Sequence, residues 1–428
     1  MSAAPFYGWK LLAALWLILF INLALPMYGL SVLDPYMASA LHLDRTMLGL
    51  TYAVFMSMTG IPAPLAAWMV HRFGIRATLL AGNVLLVAGA VAMASFVGSP
   101  WAIVLVAGAL VGTADAIGGP VPAQASVTRW FVRRRSFALA VLLTGAGIGG
   151  FIAPPLLDRI AAQTSGGWRN GWWVIAALGV LACVISWLWV KEDPESLGQH
   201  ADGAPAAGVP ALAATRVHIT QEDWSPLEAL RSSTLWVLMA AALGFSAALT
   251  LFLAQGITHL EDLGHSPASA AFALSFSVIV GLGANLGVGV LGDRIDPRWL
   301  WVGCSALDAV AIVALLFARS DAAMFLVSGA LGIAGSGAMV CMVTLLGNYF
   351  GARAYAAVFG AASAIQSTLG AVAPVIAGYW YDRHGSYGPV FIAVGVLCAA
   401  GALTLALISP PCRTRIPAPR PARTVLHR

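Results

Sequence analysis

Apolar runs of about 20 residues, the length that a hydrocarbon core roughly 30 Å thick requires of an α-helix, follow one another along the chain. Twelve of them begin near Trp9, Met47, Ala77, Trp101, Ser136, Gly171, Thr234, Pro267, Trp299, Asp321, Ala354 and Tyr387. Charged and turn-forming residues collect in the stretches between. The pattern predicts an all-α membrane protein with twelve transmembrane helices.

One interruption is longer than the rest. Lys191 to Ser233 is polar, acidic and rich in Pro, Gly and Ala, and it reads as a linker between a half spanning 1–190 and a half spanning 234–409. Within it, Leu197 to Ala214 has the composition of a disordered segment, and Asp223 to Leu230 fits a short amphipathic helix. Residues 410–428 form a basic tail.

The two halves echo each other. Gly289 to Arg298 reads Gly-Val-Leu-Gly-Asp-Arg-Ile-Asp-Pro-Arg, and Ala67 to Arg76 reads Ala-Trp-Met-Val-His-Arg-Phe-Gly-Ile-Arg. Asp293-Arg294 therefore stands where His71-Arg72 stands. Trp130-Phe131 with Arg134 is echoed by Tyr349-Phe350 with Arg353 at an offset of 219, and Gly150 with Pro154 by Gly370 with Pro374 at an offset of 220. Several matches at a nearly constant offset imply two pseudo-symmetric six-helix halves, with a binding site near the midplane between them.

Composition narrows the function. Hydrophobic residues make up 60% of 428 positions and charged residues 10%, against about 25% charged in a soluble domain. The first run, Trp9 to Leu33, is too long for a signal-peptide core and is expected to stay in the protein. Cys183, Cys304, Cys341 and Cys398 lie inside apolar segments at no metal-like spacing. No cofactor or metal motif, no nucleic-acid motif and no converging nucleophile and base are present, so an enzyme is not expected. The net charge of +5 is placed by Arg72, Arg76, Arg129, Arg133, Arg134, Arg135, Arg294, Arg298 and Arg353, which fall on alternate loops together with the tail from Arg413 to Arg428. Basic residues in short loops mark the cytoplasmic side. This predicts a multi-pass protein of a bacterial inner membrane with both termini cytoplasmic.

Twelve spans, a long central loop and a Gly-x-x-x-Asp-Arg turn resemble the major facilitator superfamily across essentially the whole chain. Tyr7-Gly8-Trp9, His259-Leu260-x-Asp262-x-Gly264-x-x-Pro267-x-x-Ala270 and Tyr381-Asp382-x-x-Gly385-Ser386-Tyr387 resemble its bacterial monocarboxylate-porter-like branch. The resemblance implies a secondary transporter that moves a monocarboxylate or related organic acid by alternating access, with protons, lipid and the solute as its partners, working as a monomer. The chain also departs from that branch. Met27 follows Pro26 where proton-coupled carriers have a lysine, and Asn285 stands where carboxylate-binding members have an arginine. Gly281 replaces their aspartate, and helix 11 offers Gln366 where oxalate and formate exchangers use a lysine. An exporter of cationic or lipophilic compounds is the alternative reading.

Asp115 is the candidate for proton coupling. It lies 14 residues from both Trp101 and Arg129, hence ~21 Å from either end of its helix, where an acid costs at least about 2.5 kcal/mol to insert and is expected to face the bundle interior. Asn22, Tyr28, Tyr52, Gln124, Gln255, Asn285, Ser336 and Gln366 are candidates for lining a cavity that recognises substrate through hydrogen bonds. Asp308 is equally central, but on a helix the resemblance makes peripheral. His259 is placed near an outer helix end. Asp293, Arg294, His71, Arg72, Arg134 and Arg353 are candidates for gating, since a carboxylate that pairs with loop groups in one conformation only biases a two-state equilibrium. His71 replaces the acid in the first half, so Asp293 is expected to carry the stronger contact.

Overall fold

The computed structural model describes residues 6–41, 45–164, 167–203, 217–220, 222, 224–370 and 372–411. Before the linker come α1 Gly8–Leu41, α2 Met47–Phe73, α3 Ile75–Ser95, α4 Pro100–Trp130, α5 Arg135–Gln163 and α6 Trp168–Trp189. After it come α7 Ser233–Asp262 and α8 Pro267–Gly292, then α9 Pro297–Phe317. The helical stretch Asp321–Gly370 breaks at Gly351, whose φ of 70° is open to glycine at little steric cost. α10 ends at that break. α11 starts after it and continues through Val372–His384, and α12 is Gly388–Leu407. The result is an all-α membrane protein of two six-helix halves.

Among the described residues, eleven stretches are long and apolar enough to cross a membrane, and one of them, Asp321–Leu369, contains the Gly351 break and so holds two helices. Inside a bilayer every backbone polar group must be satisfied within the protein, and a helix does this locally. Two helices depart from regular geometry. α1 widens into a π-helical turn at Phe20–Ala24, just before Pro26, whose ring conflicts with the carbonyl four residues back, that of Asn22. α4 contains a π-helical turn at Val104–Val111 and breaks at Gly119, immediately before Pro120.

In the linker, the helix expected at Asp223 to Leu230 is found at Pro226–Arg231, started by a capping box in which Ser225 and Glu228 bond each other's backbone. Of the stretch expected to be disordered, Leu197 to Ala214, residues 197–203 are instead ordered, with a 3-10 turn at Ala201–Gly203 held by the Asp202 contacts, and 204–214 lies outside the described residues, as does 412–428 of the tail.

The halves meet along three seams. α5 packs on α8, α2 on α11, and the second part of α4 on α10 and α11. Small residues let these helices approach. A Cβ built at Gly289 would press on Ala140 and on the Phe137 backbone, one at Gly60 on Ser367 and the Ser363 carbonyl, and one at Gly360 on the Ala63 carbonyl. One apolar core runs the length of the first half, from Leu33 and Trp168 to Trp130 and Phe131, and continues into the second half only toward the end that carries the linker, at Trp301, Tyr349 and Phe350. A second core, around Phe252, Leu260, Ile312 and Phe391, belongs to the second half alone.

Candidate functional site

Asp115 sits one turn before the α4 break, 2% exposed, on a segment that packs against α1, α2 and α3. Its Oδ1 atom has no hydrogen-bond partner among the described residues. Gly119 keeps the space beside it open, since a Cβ there would stand 2.9 Å from that same oxygen. A buried carboxyl is thus held inside the first half, and among the described residues it forms no ion pair and its Oδ1 meets no donor.

The hydrogen-bonding candidates divide by location. Asn22, in the π-helical turn of α1, donates to Asn83 Oδ1 at 2.8 Å, and Asn83 donates to Ser186 Oγ at 3.1 Å. That chain ties α1 to α3 and α6 within the first half. Tyr28 and Tyr52 are half-buried on α1 and α2, with the Tyr28 ring against Gly150 of α5. Asn285 is 9% exposed on α8 and its Oδ1 has no partner among the described residues. Ser336 of α10 lies against Gly281 of α8, and Gln366 of α11 donates to Met342 Sδ at 3.1 Å. Gln255 accepts from Tyr387 at 3.0 Å, a bond inside the second half. Gln124 is fully buried and accepts from Tyr355 at 2.7 Å, a bond from α4 to α11.

Gln124 therefore belongs to a different structure, the closure between the halves at the linker end. Asp293, just past α8, accepts from the backbone N–H of Ser136 at 2.9 Å and of Phe137 at 3.3 Å, capping the free amides at the start of α5. Burial pushes the Asp293 carboxyl up to about 7, against the pull of those two amides and of Arg134. Arg135, 4% exposed, donates from Nη1 to Asn348 Oδ1 of α10 at 2.8 Å, from Nε to the Phe131 carbonyl and from Nη2 to the Thr128 carbonyl. Among the described residues, these contacts of Asp293, Arg135 and Tyr355 are the hydrogen bonds that cross between the halves. Each lies toward the linker end.

The remaining gating candidates are placed otherwise. His71, Arg72, Arg294, Arg134 and Arg353 are exposed. The start of α3, just after His71 and Arg72, is capped by Glu192 at the beginning of the linker, whose carboxylate accepts from Ile75 and Arg76 at 2.8 Å each and lies 3.7 Å from Arg129. The two echoed turns thus differ in partner, the linker for one and the opposite half for the other. Arg135, Asn348 and Tyr355 were not singled out from the sequence. Nothing in the run Arg133-Arg134-Arg135 says which arginine turns inward, and Asn348 precedes an echoed pair without belonging to it.

Toward the opposite end the polar contacts stay within each half. Tyr36 donates to Asp158 at 2.7 Å and Tyr381 to Asp262 at 3.1 Å. His265 lies between Asp321 Oδ1 at 3.0 Å and the Ala318 carbonyl at 2.7 Å. His259 faces the Leu315 carbonyl at 3.3 Å and the Phe391 ring, and burial holds it below its ordinary value. Asp308 is buried on α9 beside Cys304, with Oδ2 unpartnered among the described residues.

Comparison with known proteins agrees with this architecture. The chain is 26% identical over 355 residues to monocarboxylate transporter 13 of Bos taurus, covering 79% of this chain and 75% of that one. It is 25% identical over 413 residues to the probable sulfoacetate transporter SauU of Cupriavidus necator, covering 89% of each. It is 24% identical over 397 residues to the hexuronate transporter of Bacillus subtilis, covering 88% and 89%. Among solved structures, the proton:xylose symporter XylE superposes with a TM-score of 0.74 at 14% identity over 94% of this chain and 96% of that one. FucP in the outward conformation superposes with a TM-score of 0.70 at 15% identity, covering 93% and 98%. Residues 15–287 and 246–427 match the Major Facilitator Superfamily, and the chain belongs to that family of membrane transporters.

Proposed function

We propose that the protein moves a small organic acid across the bacterial inner membrane together with a proton, by alternating access, with both termini and the linker in the cytoplasm. Asp115 carries the proton part of this reading. A buried carboxyl near the centre of the bilayer, without a cation or donor to hold its charge, is costly unless it binds a proton. The π-helical turn and the Gly119 break on either side of it give α4 two places at which to flex.

The relatives named for monocarboxylate, sulfoacetate and hexuronate support an acid as substrate. Asn285, Ser336, Gln366, Tyr28 and Tyr52 are neutral hydrogen-bonding groups, and Met27 and Asn285 stand where acid-carrying relatives place cations. Neutral groups suit an acid whose charge is balanced by a co-transported proton rather than by an arginine. Carriage of cations or lipophilic compounds remains the competing reading, with Asp115 as counter-ion.

The test is a thermal-shift screen of purified protein against organic acids, amines and neutral metabolites at two pH values, followed by uptake in proteoliposomes. Stabilisation by an acid is expected, more so at the lower pH. Asp115→Asn is expected to bind the same acid while its uptake loses its pH dependence. Uptake that keeps the parental pH profile in Asp115→Asn removes the proton role, and stabilisation by amines alone removes the acid.

A further inference from the structure

The described parts of the linker are fastened to both echoed loops. On the first half, the Asp202 carboxylate accepts from the N–H of Val132 at 3.1 Å and of Arg133 at 2.8 Å, and the Gln199 side-chain oxygen accepts from that of Tyr7 at 3.0 Å. On the second half, the linker lies on the last turn of α10. Thr220 N–H donates to the Asn348 carbonyl at 2.8 Å, His218 stands edge-on to Tyr349, and Trp224 stands edge-on to Phe350. The break at Gly351 is what leaves that carbonyl available, because the last carbonyls of a helix have no donor within it.

Between these attachments, Val217 and Ile219 close a small cavity of about 20 Å³ in the seam itself. Its walls include Arg135 and Ser136 from the first half and Asp293 and Asn348 from the second. Val217 is 8% exposed there. The seat of this segment is therefore made from both halves at once, by the same residues that join them.

We propose that Val217–Thr220 is a strap that docks only while the halves are closed at the linker end, and so biases the protein toward that state. A bound group shifts a conformational equilibrium by its difference in affinity for the two states. Separating α5 from α8 and α10 divides the seat, and the strap loses the contacts to one side. The 13 positions between Gly203 and Val217 can span up to ~45 Å when extended, so tension in the tether is not the cause. The tether acts by keeping the strap near its seat. The inference rests on alternating access, and not on the identity of the substrate or on Asp115.

Thiol accessibility in the seam tests it. In a cysteine-free background, Thr128→Cys places a probe on α4, where the Thr128 side chain is buried against Gly347 of α10. Val217→Asp with Ile219→Asp, and separately Thr220→Pro, are each expected to raise the rate of labelling by a membrane-impermeant maleimide about fivefold or more, with unchanged size-exclusion elution. Six Gly and Ser residues inserted between Ala206 and Ala207 are expected to leave the rate unchanged. Gly289→Val, which obstructs the α5–α8 seam, serves as the opened reference. Strap variants that label at the parental rate while Gly289→Val labels faster overturn the strap, and so does an insertion that raises the rate as much as the strap variants do. If Gly289→Val also labels at the parental rate, the seam does not open and alternating access falls with the strap.

Discussion

Asp293 places a titratable carboxyl in the contact between the halves. In the fold it keeps its proton up to about 7, chiefly because it is buried, while an unfolded aspartate releases its proton near 3.8. Between those values the folded chain binds the extra proton, so the group's contribution to stability falls as pH rises from 3.8 to about 7 and levels off above. Asp202 reinforces the upward shift, and Arg134 with the Ser136 and Phe137 amides opposes it. The difference in melting temperature between the parent and Asp293→Asn is therefore expected to shrink across that window and stay constant above it, as measured by differential scanning fluorimetry in detergent. A difference that does not vary with pH means that Asp293 titrates elsewhere. The sequence marked Asp293 because it broke an apolar pattern. It did not reveal that the partners are backbone amides of α5, because free amides at a helix start have no residue-type signature.

At the scale of elements, the seams depend on where glycine falls on a helix face. On α8, a Cβ built at Gly289 would press on Ala140 and stand 3.2 Å from the Phe137 Cα and 3.3 Å from the Ser136 carbonyl, whereas one at Gly287 on the same helix would meet open space. Gly289→Val is expected to destabilise the closed form by about 1–3 kcal/mol through overpacking, and Gly287→Val to be close to neutral. Maleimide labelling at Thr128→Cys and thermal melts read both, and equal effects from the two substitutions contradict the seam. Sequence alone shows glycines along these helices without indicating which of them will face a neighbouring helix. The same limit applies to polar residues. Asn22 and Gln124 were grouped as cavity candidates because each is polar in an apolar run. The fold points Asn22 toward Asn83 inside one half and Gln124 toward Tyr355 across two, and helical periodicity does not specify which neighbouring helix a given face will meet.

At the scale of the whole molecule, the closure is confined to one end. The apolar contacts that join the core across the halves, the Asp293 and Arg135 bonds and the linker attachments lie there, while among the described residues the polar contacts at the other end remain within their own halves. In the proposed orientation, with the basic loops and the linker in the cytoplasm, the closed end is the cytoplasmic one. Fusing a fluorescent protein that matures only in the cytoplasm after Arg428 is expected to give fluorescent cells, and a periplasmic phosphatase at the same point is expected to be inactive. The reverse result inverts the orientation. The span count, the two-fold repeat, the linker and the acid in mid-membrane followed from sequence alone, because the bilayer imposes a length on each helix and a penalty on each buried charge, and both are visible in one dimension. Tertiary structure decided which arginine of three turns inward, why α3 is capped from the linker while α5 is capped from the opposite half, and where the linker comes to rest. Those outcomes depend on distances between residues from 69 to 213 positions apart, which exist only once the helices are packed.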